Sequence, residues 1–378
     1  MIFIFFAAEA IHYVYLTSLF YMLKFTRHFL AIGAVCACLV ACGKDGEPEM
    51  PDKPDTPSQT EKPDSEQPST PEKPSEPETP SESDSPSSSV PADSEFKLKS
   101  SMSPDASLAG VAWGEIDTHM KKFMFEYTEH PNNSDKDHNS GTHGEVVYDQ
   151  TLGQYVYKFS VHKNSDIIDG DRGTMTDRQR NEMKSRTGSN GYPEVNLNYD
   201  EWQRLEWKFK IPAGFQPSGQ FTHIHQLKGA DGSDNGSPVI TISLRANSNG
   251  SNKRVEVIHT ARSGGTSLGR IVDNIPLSDF EDEWVQVETL AHACRHGYYR
   301  IIVTRISDKK VLIDKEEKDI DMWRASGGTS IRNKYGIYRS VGGDPFGSNT
   351  LLKDEHIFLT DFKVYEANTN SDPKAVDD

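Results

Sequence analysis

The sequence predicts an all-β fold, a two-sheet antiparallel β-sandwich of the jelly-roll kind, behind a long N-terminal stalk. Three observations predict it. Short runs of alternating apolar and polar residues recur through the last three quarters of the chain. Turn clusters such as Asn247-Ser248-Asn249-Gly250 and Ser263-Gly264-Gly265 separate them. Long helical periodicity is scarce; 199–203 and 277–281 read as single turns. Strongly alternating strands with few helices build two packed sheets.

Residues 1–42 read as targeting sequence. The apolar stretch 2–20 precedes a second Met at 22, and Lys24, Arg27 and the apolar run 29–41 follow it in signal-peptide order. Met22 is therefore the better start. The run ends Leu39-Val40-Ala41-Cys42-Gly43, which resembles a bacterial lipoprotein box, so Cys42 is expected to be lipidated. Lys44-Asp45-Gly46-Glu47 resembles the export signal of surface lipoproteins in the Bacteroides group. The expected location is the outer membrane, facing outward.

Residues 43–95 are Pro, Ser, Thr and charged residues with almost nothing apolar, so they read as an extended, disordered stalk. Their 15 acidic residues and four lysines supply most of the formal charge of −16. The acidity of the whole chain therefore does not argue against an anionic partner. Residues 96–378 are long enough for one large β domain, with alternating runs at 155–162, 204–211, 239–245, 254–260, 284–290, 298–306, 310–314, 334–339 and 357–365. Cys294 is the only cysteine after Cys42, which excludes a disulfide framework and a thiolate zinc site; it reads as a buried small residue. A monomer is expected.

Three stretches carry chemistry. In Asn333-Lys334-Tyr335-Gly336-Ile337-Tyr338-Arg339, strand alternation puts Lys334, Gly336 and Tyr338 on one face and Tyr335, Ile337 and Arg339 on the other. A cation, a gap and a phenol in a row suit the floor of a groove for an anionic chain. In 177–186, Arg178, Arg180, Glu182, Lys184 and Arg186 share a face, four cations about one carboxylate. In 221–229, His223, His225, Gln226 and Lys228 crowd into six residues, with the two histidines on one face and Gln226 and Lys228 on the other unless a bulge intervenes. A His-x-His pair can bind a metal, but no third ligand stands at a telling spacing.

These three stretches, in this order, resemble the Arg-x-Glu-x-Arg, Gln-x-His and Lys-x-Gly-x-Tyr strands of jelly-roll, concanavalin-like polysaccharide lyases. The alginate lyases of family 7 and the heparin-lyase-I type are examples. Lys184 stands at the last place of the first motif. The second is filled either by His223-Ile224-His225 or by Gln226-Leu227-Lys228-Gly229. The resemblance implies β-elimination on a uronic-acid-containing anionic polysaccharide: glycosaminoglycan, alginate or glucuronan. It implies Arg180 and Gln226 on the uronate carboxylate, Tyr338 as acid or as both acid and base, and His225 or His223 as base or as Tyr338's partner. Lys334, Lys184, Lys228, Arg178 and Arg339 would bind further sugars, with Glu182 ordering its neighbours.

Two rival readings remain. A glycoside hydrolase on a sandwich would need paired carboxylates, and Glu115-Ile116-Asp117 is the nearest approach, with Met120 at the closing position. A non-catalytic surface glycan-binding protein would use the same cations with Trp202, Trp207, Trp284 and Trp323 as platforms. No cofactor or metal and no nucleic-acid partner is expected. Residues 231–236 hint at a calcium loop, but a hairpin tip explains them better.

Overall fold

The structure is a computed structural model that describes residues 89–131, 143–163, 166, 168–169, 173–174, 177–186, 195–324, 328–342 and 351–368. The leader, Cys42 and the stalk up to residue 88 lie outside the described residues.

In chain order the strands are β1 (Lys97–Met102), β2 (Phe125–Glu129), β3 (Gly144–Asp149), β4 (Gln154–Val161), β5 (Ile168–Asp169), β6 (Gly173–Thr174), β7 (Arg178–Ser185), β8 (Glu201–Lys210), β9 (Thr222–Gly229), β10 (Ile240–Arg245), β11 (Arg254–His259), β12 (Gly269–Pro276), β13 (Trp284–His292), β14 (Gly297–Arg305), β15 (Val311–Ile320), β16 (Ile331–Ser340) and β17 (Glu355–Asn368). They form an eight-stranded sheet, β15-β14-β13-β8-β17-β4-β3 with β1 beside β17, and a seven-stranded sheet, β12-β11-β10-β9-β16-β7-β2. β5 and β6 pair only with each other. Sequence neighbours such as β13–β14 pair as hairpins, whereas β16 sits between β9 and β7, far from it in sequence. This is the predicted two-sheet antiparallel sandwich.

The core lies between the sheets. Trp207, Phe209, Val285, Val287, Tyr299 and Ile301 of one sheet meet Ile224, Leu227, Ile242, Tyr335 and Ile337 of the other. At residue level the alternation holds where each strand covers one face. Asn181 of β7 binds the layers together: it accepts from the Tyr127 hydroxyl at 2.6 Å and donates to the carbonyls of His143 and Ser160, both at 2.7 Å.

One helix escaped the strand pattern: α1, Trp113–Lys121. Its buried Ile116, Asp117 and Met120 recur at helical spacing. Asp117 accepts the Tyr127 N–H at 2.7 Å and pairs with Lys121 at 2.5 Å. The carboxylates of the hydrolase reading thus sit on a helix, and the buried one is committed to holding β2.

Candidate active site

The candidate site is built on the outward face of β7, β16 and β9. Register sets three of its rungs. Lys184, Lys334 and Gln226 lie side by side, then Glu182 and Gly336, then Arg180, Tyr338 and His223. The stretches separated by up to some 150 residues in sequence thus share one groove. Of these, Arg180, Lys184, Gln226, Lys334 and Tyr338 line a cleft of about 280 Å³, together with Arg178, Lys228, Arg332 and the turn at Asn235–Gly236.

The floor is an ion-pair cluster. Glu182 is fully buried and accepts from Gln226 and from Lys334, the latter at 3.0 Å. Lys334 also contacts Glu129, which faces Arg180 and Lys184, each at 3.5 Å. Burial disfavours the Glu129 charge, yet Lys334, Arg180 and Lys184 outweigh it and hold its pKa at about 2. Burial likewise opposes the charge on Lys334, but Glu182 and Glu129 prevail and raise its pKa. Both partners are therefore ionised at neutral pH.

Tyr338 is half-buried between two guanidinium groups. Arg178, aimed by Asp177 at 2.7 Å, donates to the Tyr338 oxygen at 2.5 Å. Arg180 lies over the ring, 5.2 Å from its centroid. His223 stacks on Phe221 at 4.8 Å and stands 5.8 Å from the Tyr338 ring. Its Nδ1 meets the Ser243 hydroxyl at 2.7 Å, and Ser243 donates to Thr241 at 3.0 Å. In that chain Nδ1 carries the proton and Nε2 keeps its lone pair. Burial, reinforced by Arg245 and Lys334, pushes the His223 pKa down to about 3, so the ring is neutral. The histidine beside Tyr338 therefore carries no charge.

Two assignments are corrected. The expected face-sharing of His223 and His225 fails, because the β9 register slips between residues paired with Ile242 and Ser243. Ile224 and His225 both turn inward, while His223, Gln226 and Lys228 face the groove. His225 is fully buried between Trp207 at 4.6 Å and Tyr335 at 4.7 Å, with Nδ1 against the Lys334 carbonyl at 3.1 Å. It cannot reach a ligand. Arg339 is also fully buried on the core side, bound to Gln179 at 2.9 and 2.6 Å and to the Lys353 carbonyl at 2.8 Å. It ties β16 to β7 rather than gripping sugar.

Gly336 has a different reason from the one its sequence suggests. At φ 146° a β-carbon would fall 2.1 Å from the Asn181 oxygen and 2.7 Å from the Glu182 Cα. Close passage of β7, not room for a ligand, demands glycine there. Lys228 lines the cleft but donates to the Asn235 and Gly236 carbonyls, the latter at 2.8 Å. Arg186 stands at the margin, 3.5 Å from Glu126.

Two groove residues were not anticipated. Glu129 would face the core under strict alternation through β2, but the register shifts between Glu126 and Glu129 and turns it outward. Arg332 was legible: it precedes Lys334 by two residues, on the same face, and lines the cleft beside Lys228. Elsewhere, Trp202, Trp207, Trp284 and Trp323 are all buried, so none is a sugar platform. Asp231 accepts from Thr329 at 2.5 Å and Asp234 from the Ser263 N–H at 2.9 Å, which makes 231–236 a cross-linked turn. Cys294 is a buried free thiol.

No family model and no curated protein matches the chain. Solved structures do. A β-1,4-glucuronan endo-lyase from Trichoderma reesei is similar at 14% identity and TM-score 0.41, over 64% of this chain and 94% of that one. A family 7 alginate lyase in complex with substrate is similar at 13% identity and TM-score 0.41, over 73% and 94%. An alginate lyase from Pseudomonas aeruginosa is similar at 16% identity and TM-score 0.40, over 71% and 96%. What the groove can do is read from its own residues.

Proposed function

We propose that the chain is a polysaccharide lyase that cleaves a uronic-acid-containing anionic polymer by β-elimination. The rung Arg180–Tyr338–His223, drawn from three strands, is the observation that supports it most. Elimination needs three services: charge neutralisation at the uronate carboxylate, a base for the C5 proton and an acid for the departing O4. Arg180, with Arg178 beside it, serves the carboxylate. Neutral His223 has a lone pair for the C5 proton. Tyr338 gives its hydroxyl proton to O4, and the Arg178 guanidinium that donates to its oxygen stabilises the charge left there. The C5–H electrons form the C4–C5 double bond as the C4–O4 bond breaks, and no water is consumed. Lys184, Lys334, Gln226, Lys228 and Arg332 bind neighbouring sugars.

We further propose that Cys42 tethers this domain to the outer membrane through the stalk. Replacing Cys42 with Ala should release the protein from the membrane fraction without changing activity on soluble polymer; retention at the membrane would refute the tether.

The test of the lyase reading is ultraviolet absorbance of unsaturated uronides released from glycosaminoglycan, alginate and glucuronan. New reducing ends without that absorbance would mean hydrolysis. Binding with neither would mean a glycan-binding protein.

A further inference from the structure

Beyond Tyr338, the outward face of β16 leads towards a different surface. Ser340 follows on the same strand face and donates to Gln220 at 2.6 Å, and the Gly342 N–H returns to Ser340 at 3.4 Å. Gln220 and Gly342 belong to a second, larger hollow of about 560 Å³. It is lined by Gln216, Ser218, Asn247, Ser248 and Asn249 as well, and none of the described residues lining it is charged. This contrasts with the other end, where Arg332, Lys334, Lys228 and Lys184 gather.

The amides there are held with hydrogen-bonding capacity to spare. Ser340 occupies only the Gln220 oxygen, leaving the exposed amide NH2 as donor. The Gln216 backbone N–H is fixed by Glu355 at 2.7 Å and its side-chain NH2 by the Pro217 carbonyl at 3.0 Å, leaving the amide oxygen as acceptor. Asn249 is fixed through its oxygen by Ser251 at 2.6 and 3.0 Å, again leaving its NH2. Mixed donors and acceptors suit sugar hydroxyls and acetamido groups. Among the described lining residues, none is a cation to compensate a carboxylate that sheds its water there.

We infer that this hollow is a subsite for an uncharged sugar, so that the substrate is a mixed polymer in which uronate neighbours a neutral residue. The inference rests on the lyase reading above. It narrows the substrate class from any polyuronate to a heteropolysaccharide.

The experiment compares kcat/KM on two polymers joined through uronate O4: a glucuronate homopolymer and one alternating glucuronate with N-acetylglucosamine. The alternating polymer should be preferred by about tenfold or more, the scale of a few hydrogen bonds. The double variant Gln216→Ala/Gln220→Ala, at one half-buried and one exposed position, should lose most of that preference through the alternating polymer alone while staying folded. Equal or better cleavage of the homopolymer, or equal loss on both polymers, would overturn the neutral subsite while leaving the lyase reading intact. Absence of unsaturated uronide from both polymers and from alginate would defeat the lyase reading, and this inference with it.

Discussion

The two faces of β16 and its neighbours both carry polar groups but use them differently. On the core face, His225 answers to the Lys334 carbonyl, Arg339 to Gln179 and the Lys353 carbonyl, and Asn181 to the carbonyls of His143 and Ser160. Backbone partners cannot leave, so these contacts fix strand positions. On the groove face, Arg180, Lys184 and Lys334 answer to the carboxylates Glu126, Glu129 and Glu182. A ligand carboxylate is chemically equivalent to those partners and can join them. The same residue types are structural on one side and receptive on the other because of what they face.

The sharpest way to break this contrast is at Gly336, where both faces depend on one close approach. Gly336→Ala should cost more than about 3 kcal/mol, since a β-carbon meets the β7 backbone and the φ is strained as well. Chemical denaturation measures it. Near-parental stability would mean that β7 and β16 do not approach as described.

The two histidines of β9 separate the faces directly. His223→Ala should lower turnover by ~10²-fold or more with little change in melting temperature. His225→Ala should do the reverse, costing roughly 2–4 kcal/mol as a cavity opens between Trp207 and Tyr335 while the folded fraction keeps its rate. Because the His223 pKa lies near 3, its protonation should not shape the pH–rate profile at pH 5–7. An acid limb near pH 6.5 that vanishes in His223→Ala would contradict its neutral state.

Much of this was legible in the sequence, and the failures share a cause. Alternation along 334–338 and 178–186 correctly grouped Lys334 with Tyr338 and Arg180 with Lys184, and the order of those stretches pointed to one groove. It erred at His225 and missed Glu129, and at both places the strand register slips by a bulge. A bulge flips every later side chain on its strand, and nothing in residue types alone reports it. Gly336 misled differently: its need is set by a strand some 150 residues away in sequence. Helix α1 was passed over because its apolar stripe spans only Ile116 and Met120.

A smaller effect sharpens the groove's own gradient. Arg180→Ala should reduce kcat/KM by about 10–100-fold and soften its salt dependence, whereas Arg186→Ala, at the margin beside Glu126, should change it by about twofold or less. Equal small effects would make the β7 charges an ordinary solvated row.

The smallest expected effect lies on the other sheet and serves as a reference. Burial, then repulsion from Glu366, raises the Glu201 pKa to about 7. Stability tied to its proton is present at low pH and is lost as pH rises through about 7. Glu201→Gln should therefore raise the melting temperature at pH 8.5 by ~2–4 °C relative to the parent, and less at pH 5.5, with activity unchanged. A larger gain at pH 5.5 would reverse the sign.

The most direct test is Tyr338→Phe, followed by the absorbance of unsaturated uronides on a polymer the parent cleaves. The ring, its Arg180 contact and its place beside His223 persist in this variant, and only the hydroxyl that meets Arg178 is removed. The account predicts a fall of roughly 10²–10⁴ in turnover with polymer binding and melting temperature retained. Turnover within about twofold of the parent would contradict it, because a hydroxyl that serves only packing is worth about 1 kcal/mol of stability and nothing in rate.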